Sequence, residues 1–245
     1  MPRRFQEYPK TAQKLMLVAE RLYGQHGLDG VSLRQLATAA GQANNYVVQH
    51  YFGSKLGLIQ AVSEMRLPAM EAHRQTLLEV ARAEGDFSVP RLLSCLFSPL
   101  VTMLEVQAMR DYARFTLAVM QLEPEEHPFE RSADISPAST EIRSKLSESL
   151  SHLGADVFRR RLALSASIFL NGISELGGKL KLSPGGYVSH QQYHSDIFEA
   201  ALAVLTCPFS AEPRADFRGP PAQPALADDM AGASRRPSRP AAPTG

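Results

Sequence analysis

The sequence predicts an all-α protein, on three observations. Apolar residues recur at i, i+3, i+4 and i+7 through most of the first 205 positions; no stretch alternates apolar and polar residues as a half-buried strand would; and capping residues and glycines punctuate the periodic runs where helices should start and stop. The 245 residues, 44% hydrophobic and 21% charged, suffice for one large domain or two modest ones with a sizeable core.

Leu15, Val18, Ala19, Leu22, Tyr23 and His26 share one face of a first amphipathic helix that ends near Gly27. A second, shorter helix carries Leu33, Leu36, Ala37 and Ala40, with Ser32 as N-cap and Gln35 three residues on, the reciprocal pattern of a capping box. Gly41 stops it. Asn44 or Asn45 can cap a third short helix, whose Val48 and Phe52 lie four apart on the inner face, and Gly53-Ser54 closes it. A longer helix begins near Lys55 with Leu58, Val62 and Met65 on one stripe. Pro68 lacks the donor an interior turn uses and should kink or interrupt that helix, with the continuation over 70–84. Further helices are predicted over 89–105, 108–121, 141–153, 156–181 and 191–205. The stretch 123–140, with Pro124, Pro128, Pro137 and five acids, reads as a loop.

Composition excludes several classes. Cys95 and Cys207 stand alone, without C-x-x-C or Cys/His ligand spacing, so a zinc finger, an iron–sulfur site and a cystine scaffold are not expected; no metal or cofactor is called for. The longest apolar stretches are broken by Ser, Pro, Thr and Asn and fall short of the ~20 residues a membrane span requires, and the first ten residues carry no apolar run after their arginines. The expected compartment is the cytoplasm. Positions 211–245, with seven Pro, nine Ala and three Gly, hold too few large apolar groups to offset chain entropy and are expected to be a disordered tail.

Charge is uneven along the chain. Residues 1–55 carry seven Lys/Arg against three acids, while 56–245 carry 19 against 22, so a small basic module precedes a mildly acidic body. In that module, three short helices with a glycine turn between the second and third form a helix-turn-helix candidate. A helix entering the major groove must be anchored from behind by apolar residues and must present amides, hydroxyls or small apolar groups to base edges. Val48 and Phe52 are the anchors here. Asn44, Asn45, Tyr46, Val47, Gln49 and His50 are left to face outward; Asn and Gln can pair bidentately with adenine and Val methyls can touch a thymine methyl, although Asn44 is better explained as a cap.

The run Ser32-Leu33-Arg34-Gln35-Leu36-Ala37-Thr38-Ala39-Ala40-Gly41, followed by His50-Tyr51-Phe52-Gly53-Ser54-Lys55 and then Leu58, resembles the DNA-binding head of the TetR family of bacterial transcriptional regulators over about residues 11–62. One residue more than the commonest spacing separates Gly41 from Phe52. The resemblance implies that Arg34 reaches the DNA, that Asn45, Tyr46, Val47 and Gln49 look at bases, and that His50, Tyr51 and Lys55 hold phosphates. It further implies a head over 1–55, a helical body over 56–210 that binds a small-molecule effector and dimerises through its last two long helices, and a homodimer that represses by binding a pseudo-palindromic double-stranded operator.

The body itself offers candidates. Met65, Met70, Phe97, Met103, Met109, Tyr112, Phe115, Met120 and Phe169 could line an adaptable apolar pocket, or be ordinary core; His73, Arg110 and Arg114 could supply its polar end. Ile197, Ala201, Leu202 and Leu205 form a stripe that serves equally as a dimer face or as intramolecular core. A helical enzyme or adaptor is the alternative class. The run Gly172–Lys179 resembles a phosphate-binding loop, but its Lys falls one place late, Leu180 stands where Ser or Thr belongs and no strand precedes it; the seven His show no catalytic or metal-binding signature.

Overall fold

The computed structural model describes residues 4–44, 46–123, 128, 135–175 and 189–210. Every regular element among them is helical. The first four are α1 (Lys10–His26), α2 (Leu33–Ala39), α3 (Val47–Phe52) and α4 (Lys55–Met65). The capping box at α2 forms as its sequence requires: the Gln35 backbone N–H donates to Ser32 Oγ at 3.2 Å, and the Ser32 backbone N–H donates to Gln35 Oε1 at 2.8 Å. The chain leaves α2 through Gly41 at φ +73°, a left-handed conformation that a side chain would strain. Asn44 does not cap α3 directly. Its Oδ1 accepts the Tyr46 N–H at 2.9 Å in an Asx turn, and Tyr46 leads into α3 without a side-chain cap; Asn45 lies outside the described residues. Ser54 caps α4 by accepting from the Gly57 N–H at 2.9 Å.

The next elements are α5 (Leu67–Glu84), α6 (Val89–Thr102), α7 (Val106–Val119), α8 (Pro137–Ser149), α9 (Ala155–Glu175) and α10 (His190–Thr206). The helix begun at Lys55 is interrupted, as expected near Pro68, but two residues earlier and without a kink: α4 ends at Met65, Arg66 forms the joint, and Pro68 sits in the first turn of α5, where its missing N–H leaves no bond unmade, so the continuation starts at Leu67 and not at 70. Likewise Pro137 starts α8 instead of belonging to the loop, so 137–140 are helical. Of the predicted 123–140 loop, 124–127 and 129–134 lie outside the described residues, as do 176–181 of the predicted 156–181 helix, the Pro184-Gly185-Gly186 turn and the whole 211–245 tail. No helix among the described residues is long and apolar enough to cross a membrane.

Through Cys207 the chain is one compact unit with two apolar clusters. The first cluster holds Leu15, Ala19 and Tyr23 of α1, Leu36 of α2, Val48 of α3 and Leu58 and Val62 of α4, and it is completed by Phe115 and Val119 of α7. The second gathers α5, α6, α8, α9 and α10 around Met109, Tyr112 and Ala113, again of α7. Fully buried apolar side chains contribute about 1.5–3 kcal/mol each, so Phe115 and Val119 tie the first helices to the body far more firmly than a surface contact could. Ile197, Ala201 and Leu205 are buried within this second cluster and Leu202 packs against it, which resolves that stripe as intramolecular core.

Two features hold α1 on the body. At Gly24 the helices come so close that an added Cβ would lie 2.9 Å from Arg114 Cβ, 3.0 Å from Phe115 N and 3.1 Å from Asp111 O. At the α4–α5 joint, Arg66 donates to both carboxylate oxygens of Glu20 on α1, Nε to Oε1 and Nη2 to Oε2, each at 2.7 Å, with the guanidinium carbon 5.9 Å from the Tyr112 ring centroid. The Glu20 side chain is only 3% exposed. Burial pushes its carboxyl above the ordinary range, the Arg66 bonds and charge pull it back, and Asp111 adds to the rise.

These contacts generate two expectations. Gly24→Ala should destabilise the protein in chemical denaturation, although helix propensity alone would favour it by about 1 kcal/mol, because the backbone of α7 must retreat; a gain in stability would contradict the crossing. Arg66→Met should cost about 3–5 kcal/mol at neutral pH by leaving the Glu20 carboxylate buried and unpaired, and adding Glu20→Gln should recover much of that loss. In the single variant the Glu20 folded-state pKa rises further above its unfolded value. Stability carried by such a group is present below the unfolded pKa and lost as pH rises, so the deficit relative to wild type should shrink toward pH 4.5. A pH-independent deficit would contradict this.

A candidate nucleic-acid interface and a half-open cavity

The helix-turn-helix places its outward residues as a groove-reading surface requires. With Val48 fully buried and Phe52 packed inward, Gln49 and His50 are exposed on α3, Tyr46 is 73% exposed just before it, and Asn44 is exposed in the preceding turn. Arg34 is exposed on α2. Val47 and Tyr51, expected at the DNA, are half-buried and pack against the first apolar cluster, so each has only part of its surface to offer. His50 and Tyr51 stand edge to face at 4.8 Å, and Tyr8 lies against Phe52 at 5.8 Å, which steadies the closing turn of α3.

Lys55 opens α4, where the first-turn amides and its own charge both favour an anion. Its Nζ donates to Asp29 Oδ1 at 3.1 Å, with the Asp29 side chain fully exposed. Such a surface pair is worth about 0–1 kcal/mol, so a phosphate can displace Asp29 at little cost. One cation beside this surface escaped the sequence reading. Lys14 on α1 is exposed, and its Nζ lies 3.3 Å from where a Cβ on Gly41 would be, at the turn between α2 and α3. In the sequence it counts only as one of the seven Lys/Arg of residues 1–55.

A cavity of about 580 Å³ lies among α5 to α9, within the range of small-molecule sites. Of the residues expected at a pocket, Phe97, Tyr112, Met120 and Phe169 line it, the two phenylalanines stacked at 4.9 Å. The others are placed elsewhere: Met65 and Phe115 belong to the first cluster, Met70 and Met109 to the second, and Met103 is 39% exposed after α6. On α7 the lining residues are Tyr112, Thr116 and Met120, spaced i, i+4 and i+8, whereas Phe115 and Val119, one position round at about 100°, face the first cluster. That offset is a signal the sequence contained.

The polar wall also differs from expectation. Arg110 Nε and Arg114 Nη2 both donate to the Ser174 carbonyl, at 3.2 and 3.0 Å, near the end of α9, and His73 Nε2 is 3.5 Å from Thr102 Oγ1. None of these lines the cavity. Arg74, Arg143 and Arg159 do, with Thr116, Ser136 and Ser139. Arg74 is buried, donating through Nη1 to Glu71 Oε1 at 3.0 Å and through Nε to the Leu96 carbonyl at 3.1 Å, and Glu71 in turn accepts from the Ser139 backbone N–H at 3.1 Å and from its hydroxyl.

Among curated proteins none matches the chain. Residues 15–62 match the family model described as bacterial regulatory proteins, tetR family. They take in most of α1, all of α2 and α3 and most of α4, the elements that bury Val48 and expose Gln49, and regulators of that family are not enzymes. Over residues 15–62, then, the chain carries the N-terminal helix-turn-helix domain of the TetR family of DNA-binding transcriptional regulators.

Proposed function

We propose that this regulator binds a pseudo-palindromic operator as a homodimer, represses the genes beside it, and releases DNA when a small-molecule effector enters the cavity of its body. Residues 1–55 are the reading head, 56–210 the effector and dimer body, and 211–245 a solubilising tail, in a protein of the cytoplasm. The observation that carries this reading is the exposed set Arg34, Tyr46, Gln49 and His50 on a tetR-type head whose core is closed by α7, the helix that also lines the cavity.

Two heads are needed for two half-sites, and α9 supports a face for pairing. Leu164 is 57% exposed and Ile168 36% exposed, four residues apart on the side of α9 away from the cavity-lining Leu162, Ala166 and Phe169. For gating, Tyr112 lines the cavity and has the Arg66 guanidinium 5.9 Å from its ring centroid, and Leu67, also at the cavity wall, directly follows Arg66. An effector that prefers a different setting of Tyr112 and Leu67 acts on the Arg66–Glu20 joint and thereby on the angle of α1 and α4. It shifts the population by its differential affinity, and the coupling is reciprocal with DNA.

Selection of bound sequences from a random duplex library tests the reading: a two-fold-related motif should be enriched, and no enrichment would overturn it. On the selected duplex, Lys55→Ala should weaken binding to all sequences and reduce the salt slope by about 0.9 per head, with stability changed by less than about 1 kcal/mol, whereas Gln49→Ala should cost roughly 1–3 kcal/mol at particular base pairs only. Uniform loss from both would remove Gln49 from base reading. Combining Leu164→Glu with Ile168→Glu should give a folded monomer by light scattering at micromolar concentration; a persisting dimer would exclude this face of α9.

A further inference from the structure

We propose that the segment before α1 and the first turns of that helix form a second phosphate-binding ridge for duplex DNA, in which Arg4, Lys10 and Lys14 hold backbone phosphates distinct from those at Lys55. The proposal rests on the reading of the head as a DNA binder and adds to it a surface outside the base-reading residues of α3.

The second half of α1 is committed to the body, because Glu20 is bonded to Arg66 and Gly24 lies against α7. At about 1.5 Å per residue the start of α1 stands roughly 20 Å from that crossing, at the other end of the helix. Two contacts put this end beside α3. Tyr8 lies 5.8 Å from Phe52, in the last turn of α3, and Lys14 Nζ lies 3.3 Å from where a Cβ on Gly41 would be, in the turn that leads toward α3. Helix α1 therefore runs from the body to the reading surface.

The segment before α1 is held in place. Phe5–Glu7 form a single 3-10 turn, in which the Glu7 N–H donates to the Arg4 carbonyl at 2.9 Å and the Tyr8 N–H to the Phe5 carbonyl at 3.2 Å. Phe5 and Tyr8 pack against the first apolar cluster, and Gln13 Nε2 of α1 donates to the Tyr8 carbonyl at 2.8 Å. Arg4 is thus presented from a docked turn, whose backbone has little freedom left to lose on binding.

Arg4, Lys10 and Lys14 are all exposed, and among the described residues no acid forms an ion pair with any of them. Lys10 and Lys14, at i and i+4, share one side of α1. The acids of residues 1–26 are Glu7 and Glu20: Glu20 is bonded to Arg66, and Glu7 accepts the Arg4 backbone N–H at 3.1 Å. Positive charge is thus concentrated where the duplex backbone would pass. The ridge is also separate from the Lys55 site, since Lys55 Nζ meets Asp29 in the loop before α2, whereas Lys14 stands at the turn after α2.

Fluorescence anisotropy of the full-length protein on the selected duplex and on an unrelated duplex of equal length, over a salt series, tests the proposal. Arg4→Ala, Lys10→Ala and Lys14→Ala should each lower the salt slope by about 0.9 per head, and the triple variant by about 2.7, on both duplexes and with the preferred motif and the thermal midpoint unchanged. Arg21→Ala removes an exposed cation farther along α1 toward the body and should leave the slope as it is. Phosphate ethylation interference should reveal positions whose modification weakens binding of the wild type and of Lys55→Ala but not of the triple variant. An unchanged slope in the triple variant, an equal fall with Arg21→Ala, or interference confined to the phosphates lost with Lys55→Ala would overturn the ridge while an enriched motif keeps the operator reading. The expected fall in slope on the unrelated duplex, with no motif enriched by selection, would sustain the ridge and overturn the operator reading instead.

Discussion

The join between reading head and body is organised around one buried polar contact, the two-pronged bond between Glu20 and Arg66 beside the close crossing of α1 and α7. Glu20 is carried by the first helix of the head, Arg66 by the residue between α4 and α5, and Tyr112 of α7 supplies the ring face at the guanidinium. A carboxylate this buried tolerates no loss of its partner, which makes the pair a constraint on geometry more than a source of net stability. Gly24 adds the steric half of the same constraint, since α1 can approach α7 only where no side chain intervenes. Together they fix where α1 sits, and α1 carries α2 and α3 on its other face.

Helix α7 is the element through which this constraint reaches the cavity. Phe115 and Val119 close the core behind the recognition helix, Met109 and Ala113 belong to the body, and Tyr112, Thr116 and Met120 face the cavity. A helix buried on several sides cannot shift on one without disturbing the others, because interiors are close-packed. The head is therefore not an independent module on a tether. Its apolar cluster continues past residue 55, through Ile59 and Val62 to Phe115 and Val119.

Much of this was legible in the sequence where local chemistry decides it. The Ser32/Gln35 capping box, the Gly41 and Gly53 stops and the Val48/Phe52 spacing locate α2 and α3 without tertiary information, and the exposed set around Gln49 follows from them. Less was legible where choice depends on what packs opposite. Pro68 reads as a breaker inside one helix, yet with the joint at Arg66 it falls in a first turn that has no use for its N–H. Met70, Met103 and Met109 look like pocket residues by type, but type does not state which face meets empty space, and the cavity wall is set by the i, i+4, i+8 row on α7 and by Arg74, not by its neighbour His73. Glu20 and Arg66 are 46 residues apart, and no spacing rule connects them.

The central claim, that head and body share one core, is tested most directly by native-state hydrogen exchange along a denaturant series, read at the amides of α1 and α7. A shared core predicts that the most protected amides of both helices open with the same free energy and the same denaturant dependence, as parts of one cooperative unit. Exchange of α1, α2 and α3 through a separate, smaller opening while α7 remains protected would contradict it.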